Sequence, residues 1–318
     1  MMKTNDINCL LCDNNDYKLL FEAKDRLHGV DGMFTYVRCK NCGLVYMNPQ
    51  IASDELAKFY PNIYAPHNIV KKTQEIENKH LTNQLIVSIK AFFFEHQNIN
   101  KIPSFVLDIL NPDSKVLDVG CGNGTFLNDI KNKVGCQVHG VDISKTAVLS
   151  AKEHYDLEII KGIVEEISFP SDSFDLITAW WSLVHINNPN EMLQKLSTLL
   201  KTDGYCILGV PNFNSFNARF FKDKWMHLDA PRHLCIHTPS TTKKILEQNG
   251  FSVKKIIYDR NPSGLFGSLQ YHRYGSNTAN EKIQIPPFLV KTLFVFIALT
   301  ALFKASDLLV VCAQKNTA

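Results

Sequence analysis

The stretch VLDVGCGNGTFL, residues 116–127, constrains this chain more than any other. An apolar run ends at Asp118 and Val119, and glycine then fills three of the next five positions, Gly120, Gly122 and Gly124. Glycine costs backbone entropy on ordering, so such a cluster marks a turn needing positive φ or a place where a ligand lies against the main chain. Around it the pattern alternates. KVLDV, CQVHGVD, LEIIKG, FDLITAWW and YCILGVP read as near-continuous apolar strands. Helical patterns separate them, from about Gly124, over SKTAVLSAKEHY and from Pro189. That order predicts an α/β, doubly wound, mostly parallel sheet covered on both faces, with ligands bound beyond the carboxyl ends of its strands. The glycines then let a ligand approach backbone N–H groups at the next helix's start. Asp142 ends the second strand, where a carboxylate can accept both hydroxyls of a ribose. On spacing alone a dinucleotide fold remains open.

Nine cysteines divide into two groups. Cys9, Cys12, Cys39 and Cys42 form two CxxC pairs, whereas the other five stand alone. Four thiolates on two tight turns suit a closed tetrahedral Zn²⁺ site. YKLLFEAKD and FTYVRC read as short strands between the pairs, so residues 1–50 are expected to form a zinc-ribbon module whose metal supplies much of its folding free energy. Two disulfides are the alternative in an exported chain. MMKTNDINCLLCDNND lacks the apolar run of a signal peptide, so a cytoplasmic location, or a peripheral one at the inner face of the membrane, is the expectation. A formal charge of +3 on 318 residues argues against an extended nucleic-acid surface.

VLDVGCGNGTFL resembles the E/DxGxGxG motif of class I S-adenosylmethionine-dependent methyltransferases. The resemblance extends through GVDIS, SFDLITAWWSLVHINNP, LLKTDGYCILGVPN and LEQNGF, from about residue 110 to 260. It implies a Rossmann-like, seven-stranded sheet and S-adenosylmethionine as cofactor. By it, Asp118 and the loop Gly120, Cys121, Gly122, Asn123 and Gly124 hold the methionine portion, Asp142 the ribose and Ile143 the adenine face. Relatives often carry Asp where this chain has Ile163, leaving Glu165 or a backbone carbonyl near Val164 to substitute. AWWSLVHI resembles the LEH segment of ubiquinone-type O-methyltransferases, with Val184 in place of Glu. There His185 is either a general base or a buried histidine hydrogen-bonded beside the cofactor. Trp180 and Trp181 either wall the cofactor and substrate or pack in the core. The (N/D)PP(Y/F) element of base-amino methyltransferases is absent.

A second dense cluster is WMHLDAPRHLCIHTPS, residues 225–240, ahead of a helix that Thr238 can cap and Pro239 start. PRHL followed by TP resembles a subgroup that also carries an N-terminal ribbon and includes sugar methyltransferases. His227 and His233 are candidate catalytic bases. Asp229, Arg232 and His237 are candidate substrate contacts, Arg232 suiting a phosphate or carboxylate. The alternative is that these side chains lock a lid, residues 211–240, onto the domain.

Residues 51–109 are expected to form a helical linker and cap, with a longer helix from about Thr73 to His96, before the main domain at 110–318. Within that domain an apolar helical insertion at 285–305 precedes DLLVVCAQK, the last strand, expected beside FSVKKIIY. The insertion is too short to span a bilayer, and one crossing would strand the final strand. It packs internally, lies in a membrane interface, or forms a homodimer seam. The expected function is methyl transfer to an oxygen or carbon of a sugar, nucleotide-sugar or lipid-linked cell-envelope intermediate. The alternatives are RNA methylation and a zinc-ribbon interaction protein with a vestigial fold.

Overall fold

A computed structural model describes residues 2–60, 101–277 and 283–317. The helix expected over 73–96 lies outside the described residues. The N-terminal region holds β1 (Thr4–Asn5), β2 (Tyr17–Ala23), β3 (Phe34–Cys39), β4 (Val45–Met47), β5 (Gln50–Ile51) and α1 (Ser53–Leu56). After α2 (Ser104–Leu107) come β6 (Lys115–Val119), α3 (Thr125–Val134), β7 (Gln137–Asp142), α4 (Lys145–Tyr155) and β8 (Ile159–Lys161). Then follow β9 (Phe174–Trp180), α5 (Pro189–Leu199), β10 (Leu200–Pro211), α6 (Phe216–Phe221), β11 (Cys235–Ile236) and α7 (Pro239–Gln248). The chain closes with β12 (Phe251–Tyr258), α8 (Ser263–Tyr274), α9 (Pro287–Leu302) and β13 (Leu308–Lys315).

Local chemistry explains the helix starts. Ser144 Oγ accepts the Ala147 N–H and opens α4, and Asn188 Oδ1 accepts that of Glu191 at α5, which starts on Pro189. Thr238 and Thr241 form a reciprocal capping box at α7. Gly135, at φ +79°, closes α3 in the left-handed region.

The seven-stranded sheet has the order β12-β13-β10-β9-β6-β7-β8. β6, β7, β8, β9 and β10 run parallel, whereas β13 inserts antiparallel between β10 and β12. Order reverses at β6, whose neighbours β7 and β9 belong to successive crossovers in opposite directions, so a crevice opens at its carboxyl end.

The ribbon strands do not stand apart. β2, β3 and β4 form an antiparallel sheet that β11, from the 211–240 segment, extends by pairing Cys235 with Tyr46. One face of this small sheet shares a core with the large sheet, Cys9, Leu11 and Val37 lying in one cluster with Leu193, Leu196 and Leu208. Phe34, Tyr36 and Met47 pack instead with Phe213, Trp225 and Leu234. The boundary read at residue 50 therefore divides the sequence without separating the cores. No sequence signal showed that a strand would arrive from nearly 190 residues downstream.

Candidate active site

The carboxyl ends of β6, β7 and β9 bring the site together. Asp118 is fully buried, and its Oδ1 accepts the Thr178 hydroxyl at 2.7 Å from the adjacent strand. Its Oδ2 has no hydrogen-bond partner. Burial, aided by the Asp142 charge and opposed by the Thr178 hydrogen bond, pushes the Asp118 carboxyl up to about 8. A buried, half-satisfied carboxyl under a glycine turn can receive a cationic or hydrogen-donating ligand group.

The turn is held from within. Gly120 and Cys121 both donate their N–H groups to the Val141 carbonyl, at 2.8 and 3.1 Å, and Gly122 donates to Asp142 Oδ2 at 2.8 Å. These three donors are occupied within the turn. What the glycines provide is close approach of neighbouring side chains: at Gly124, φ +78°, Leu157 and Ala151 occupy the place a Cβ would take. Gly120, at φ +71°, has no room for a Cβ because the Ser182 side chain fills that space, with Ser182 Oγ donating to the Val119 carbonyl at 2.7 Å. Asp142 Oδ1 accepts the Ser144 N–H at 2.8 Å, so each carboxylate oxygen already holds one partner and keeps capacity for another. Ile143, immediately after, is 71% exposed, an apolar platform beside that carboxylate. Gly162 N–H donates to the Asp142 carbonyl at 3.0 Å, which brings the turn carrying the partly exposed Ile163 alongside. Glu165 is half-buried with its carboxyl raised by burial, while Val164 is core.

Several residues expected at the cofactor have side chains engaged within the protein. The Cys121 side chain is buried among Phe126, Leu127 and Ile130, Trp180 meets Phe126 edge to face at 5.5 Å, and Asn123 Oδ1 accepts from Thr125. Trp181 differs, holding φ +65° at the end of β9 while its N–H bonds Gly209 at 2.9 Å. A bulky residue in the left-handed region is a strained position of the kind found beside ligands.

A second group lies where FDLITAWWSLVH meets the PRHL segment. The rings of His185 and His233 pack edge to face with centroids 4.7 Å apart. His185 Nδ1 contacts the Arg232 carbonyl at 3.0 Å and Tyr60 Oη at 2.9 Å. His233 Nδ1 contacts the His227 carbonyl at 2.9 Å. A carbonyl only accepts, so both Nδ1 atoms carry the proton and both Nε2 atoms keep a lone pair. Burial holds both rings well below the usual histidine range, His185 at about 3 and His233 at about 4, despite the nearby Asp229 carboxylate. They are neutral bases at physiological pH.

The remaining lid residues are structural. Arg232 is fully buried, and its guanidinium donates to Asp25 Oδ1 and Oδ2 at 2.8 and 3.0 Å and to the Phe59 carbonyl at 3.1 Å. It also donates to Asp229, Nη2 reaching Oδ1 at 2.7 Å. Every nitrogen is engaged, so Arg232 and Asp229 clamp the ribbon to the lid and do not await an anionic substrate. His237 is buried with Nε2 3.6 Å from Cys235 Sγ, and His227 lies against Trp225 and the α8 backbone at Gly264. Neither ring joins the His185–His233 pair. Sequence reasoning missed Asp25, Tyr60, Thr178 and Ser182.

At the ribbon tip the four sulfurs of Cys9, Cys12, Cys39 and Cys42 lie within 4.8 Å of one another, with Cys9–Cys42 at 3.4 Å and Cys12–Cys39 at 3.5 Å. Tetrahedral zinc with Zn–S near 2.3 Å places its sulfurs ~3.8 Å apart, so the set fits that ion. Against its burial, hydrogen bonds from Asn14, Asn41 and the neighbouring cysteines lower the Cys12 thiol to about 7, whereas burial raises Cys9 and pushes Cys42 up to about 11.

Comparison with known proteins agrees with this geometry. The chain is similar over 108 residues, at 31% identity, to a ubiquinone biosynthesis O-methyltransferase of Glaesserella parasuis, covering 31% of this chain and 45% of that protein. It is 30% identical over 158 residues to a ubiquinone biosynthesis O-methyltransferase of Rhodopseudomonas palustris, covering 48% and 61%. The chain thus spans about half the length of the curated relatives it matches. Its fold matches a chain from the complex between the Haloferax volcanii Trm112 methyltransferase activator and the putative methyltransferase, with TM-score 0.51 and 16% identity over 74% of this chain and 97% of that one. Residues 94–256, half of the sequence, match the family described as a methyltransferase domain, and the chain belongs to that family.

Proposed function

We propose that the chain is an S-adenosylmethionine-dependent methyltransferase acting on a hydroxyl oxygen of a small acceptor, a saccharide or lipid-linked saccharide of the cell envelope. One observation carries the cofactor reading. Asp118 is buried beside the Gly120–Gly124 turn with one oxygen unsatisfied, one strand from Asp142 and the exposed Ile143. These residues fit the cofactor: Asp118 would meet the amino-acid portion, Asp142 the ribose hydroxyls and Ile143 the adenine. When bound, S-adenosylmethionine supplies an electrophilic methyl group on a sulfonium.

The chain's own part is to align the acceptor and take up its proton. His185 Nε2 is the base of choice, since the Arg232 carbonyl, which can only accept, keeps the proton on Nδ1. As the acceptor oxygen took the methyl, with the sulfonium carbon–sulfur bond breaking to leave a neutral thioether, the hydroxyl proton would pass to Nε2, and the Asp229 carboxylate would favour the resulting imidazolium. His233 braces that ring. The O-methyltransferase names of the relatives support oxygen over carbon. The saturation of Arg232 argues against it as a clamp for a nucleotide-sugar diphosphate. The four cysteines would hold a structural zinc.

The test is to incubate the purified chain and S-adenosylmethionine with aqueous and lipid extracts of envelope precursors. A saccharide product heavier by one methylene supports the reading. Methylation confined to RNA, or to a carbon or nitrogen atom, refutes it.

A further inference from the structure

α9 is apolar on nearly every side, yet packing buries only part of it. Ile297 is buried, and Leu293 and Phe296 pack against the cluster that contains Phe213 and Trp225. Thr292, Val295, Leu299 and Leu302, spaced by three, four and three residues, form one stripe and all face solvent. Beside it lies α6. Phe216 meets Phe296 edge to face at 5.1 Å and stacks on Phe220 at 6.0 Å, while the Phe216 N–H donates to the Ala305 carbonyl at 2.9 Å. Phe220, Leu302 and Phe303 expose 64%, 71% and 75% of their surface. Two elements separated by some 70 residues thus build a single apolar patch, larger than scattered surface hydrophobics explain.

The charges near the patch are of one sign. Arg219, Lys222 and Lys304 are exposed in these segments. The two acidic residues in the same stretches are taken up elsewhere: Asp223 pairs with Arg26 at 2.7 Å, and Asp307 is buried, accepting from Trp225 Nε1 and Asn217. An apolar face with an unneutralised basic flank matches an anionic lipid surface. A symmetric dimer through the same patch would set these cations against their own copies. Spanning is excluded by length, since 16 residues of helix reach ~24 Å against a hydrocarbon core of ~30 Å. No helix among the described residues is long and apolar enough to cross a membrane.

We infer that α6 and α9 form a docking surface for an anionic phospholipid bilayer. The patch lies at the reactive end of the sheet, because α6 follows the carboxyl end of β10 and Pro211 there pairs with Leu308 just beyond α9. Docking brings the crevice at β6 toward the lipid headgroups. A bilayer-borne acceptor for the methyl group, which rests on the proposed function, gives this orientation a use.

Co-sedimentation of the full chain with vesicles of phosphatidylglycerol and phosphatidylcholine, against pure phosphatidylcholine, tests the inference. Binding to the anionic vesicles is expected, at least tenfold weaker to the neutral ones. Leu302→Glu or Phe220→Glu should reduce it at least tenfold, and Lys304→Glu about fivefold, in a salt-dependent manner. Absence of vesicle binding, equal binding by the Leu302→Glu chain, or a solution dimer that Phe220→Glu dissociates would each overturn it. S-adenosylhomocysteine calorimetry on the same variants separates the two claims. Unchanged cofactor affinity with lost vesicle binding supports the surface, whereas vesicle binding without any cofactor binding sinks only the methyl-transfer reading.

Discussion

Arg232→Met is the most informative perturbation of the lid. The substitution keeps a long apolar stem and removes the guanidinium that pairs with Asp25 and Asp229, two carboxylates whose side chains are 0% and 12% exposed, leaving Asp25 only the Leu27 and His28 backbone N–H groups. Breaking a buried ion pair from one side leaves uncompensated charge and costs about 3–5 kcal/mol, a third or more of an ordinary domain's stability. Its pH dependence carries a sign. In the native chain Arg232 outweighs burial and holds Asp229 at about 2, against an ordinary 3.8. That depression contributes about 2–3 kcal/mol, complete above roughly pH 4 and lost as pH falls toward 2. Without Arg232 burial dominates at Asp229, its carboxyl rises above its unfolded value, and the sign reverses there: the variant gains stability as pH falls from 7 to 5. Denaturant unfolding across that range reads both effects, and calorimetry should find S-adenosylhomocysteine affinity within about twofold of the native chain at temperatures where the variant is folded. A variant of native stability whose only defect is a raised KM for the acceptor would refute the clamp and restore Arg232 as a substrate contact.

His185→Ala should lower kcat by about 10²–10⁴ with cofactor affinity unchanged, and the native pH profile should show no loss of base down to pH 5, because His185 titrates at about 3. A kinetic break between pH 6 and 7 that His185→Ala abolishes would contradict the buried neutral imidazole. Metal analysis should return one zinc per chain. Chelation should unfold the ribbon and lower turnover, since Tyr36 on β3 donates to the His233 carbonyl at 2.8 Å and β4 carries β11; full activity in a zinc-free chain would separate the ribbon from the site. Cofactor affinity should rise as pH increases through about 8, because burial keeps Asp118 protonated below that value and binding an ammonium there must expel the proton. An affinity flat from pH 6 to 9 would remove Asp118 from the binding set.

The large sheet was legible because parallel strands buried on both faces repeat one pattern, and because Asp118, the three glycines and Asp142 sit at strand ends that pattern defines. The last strand was legible from its apolar run and from the argument that a single crossing would maroon it. The lid was legible only as a cluster of chemistry. Arg232 reads as an anion ligand until Asp25, 207 residues away, is seen to occupy it, and no spacing links the two. Cys121, Trp180 and His237 are ambiguous for the same reason: composition does not say which face of a strand end or lid turn looks inward. β11 is two residues long, below any periodicity, so its role in joining ribbon to lid emerged only from pairing.

Isothermal titration of the full chain with S-adenosylhomocysteine tests the central claim most directly. One saturable site per chain is expected, weakened about tenfold or more by Asp142→Ala through loss of a charge-assisted hydrogen bond to the ribose. No saturable heat in the native chain, or an unchanged affinity in that variant, would contradict the placement of the cofactor at the ends of β6 and β7.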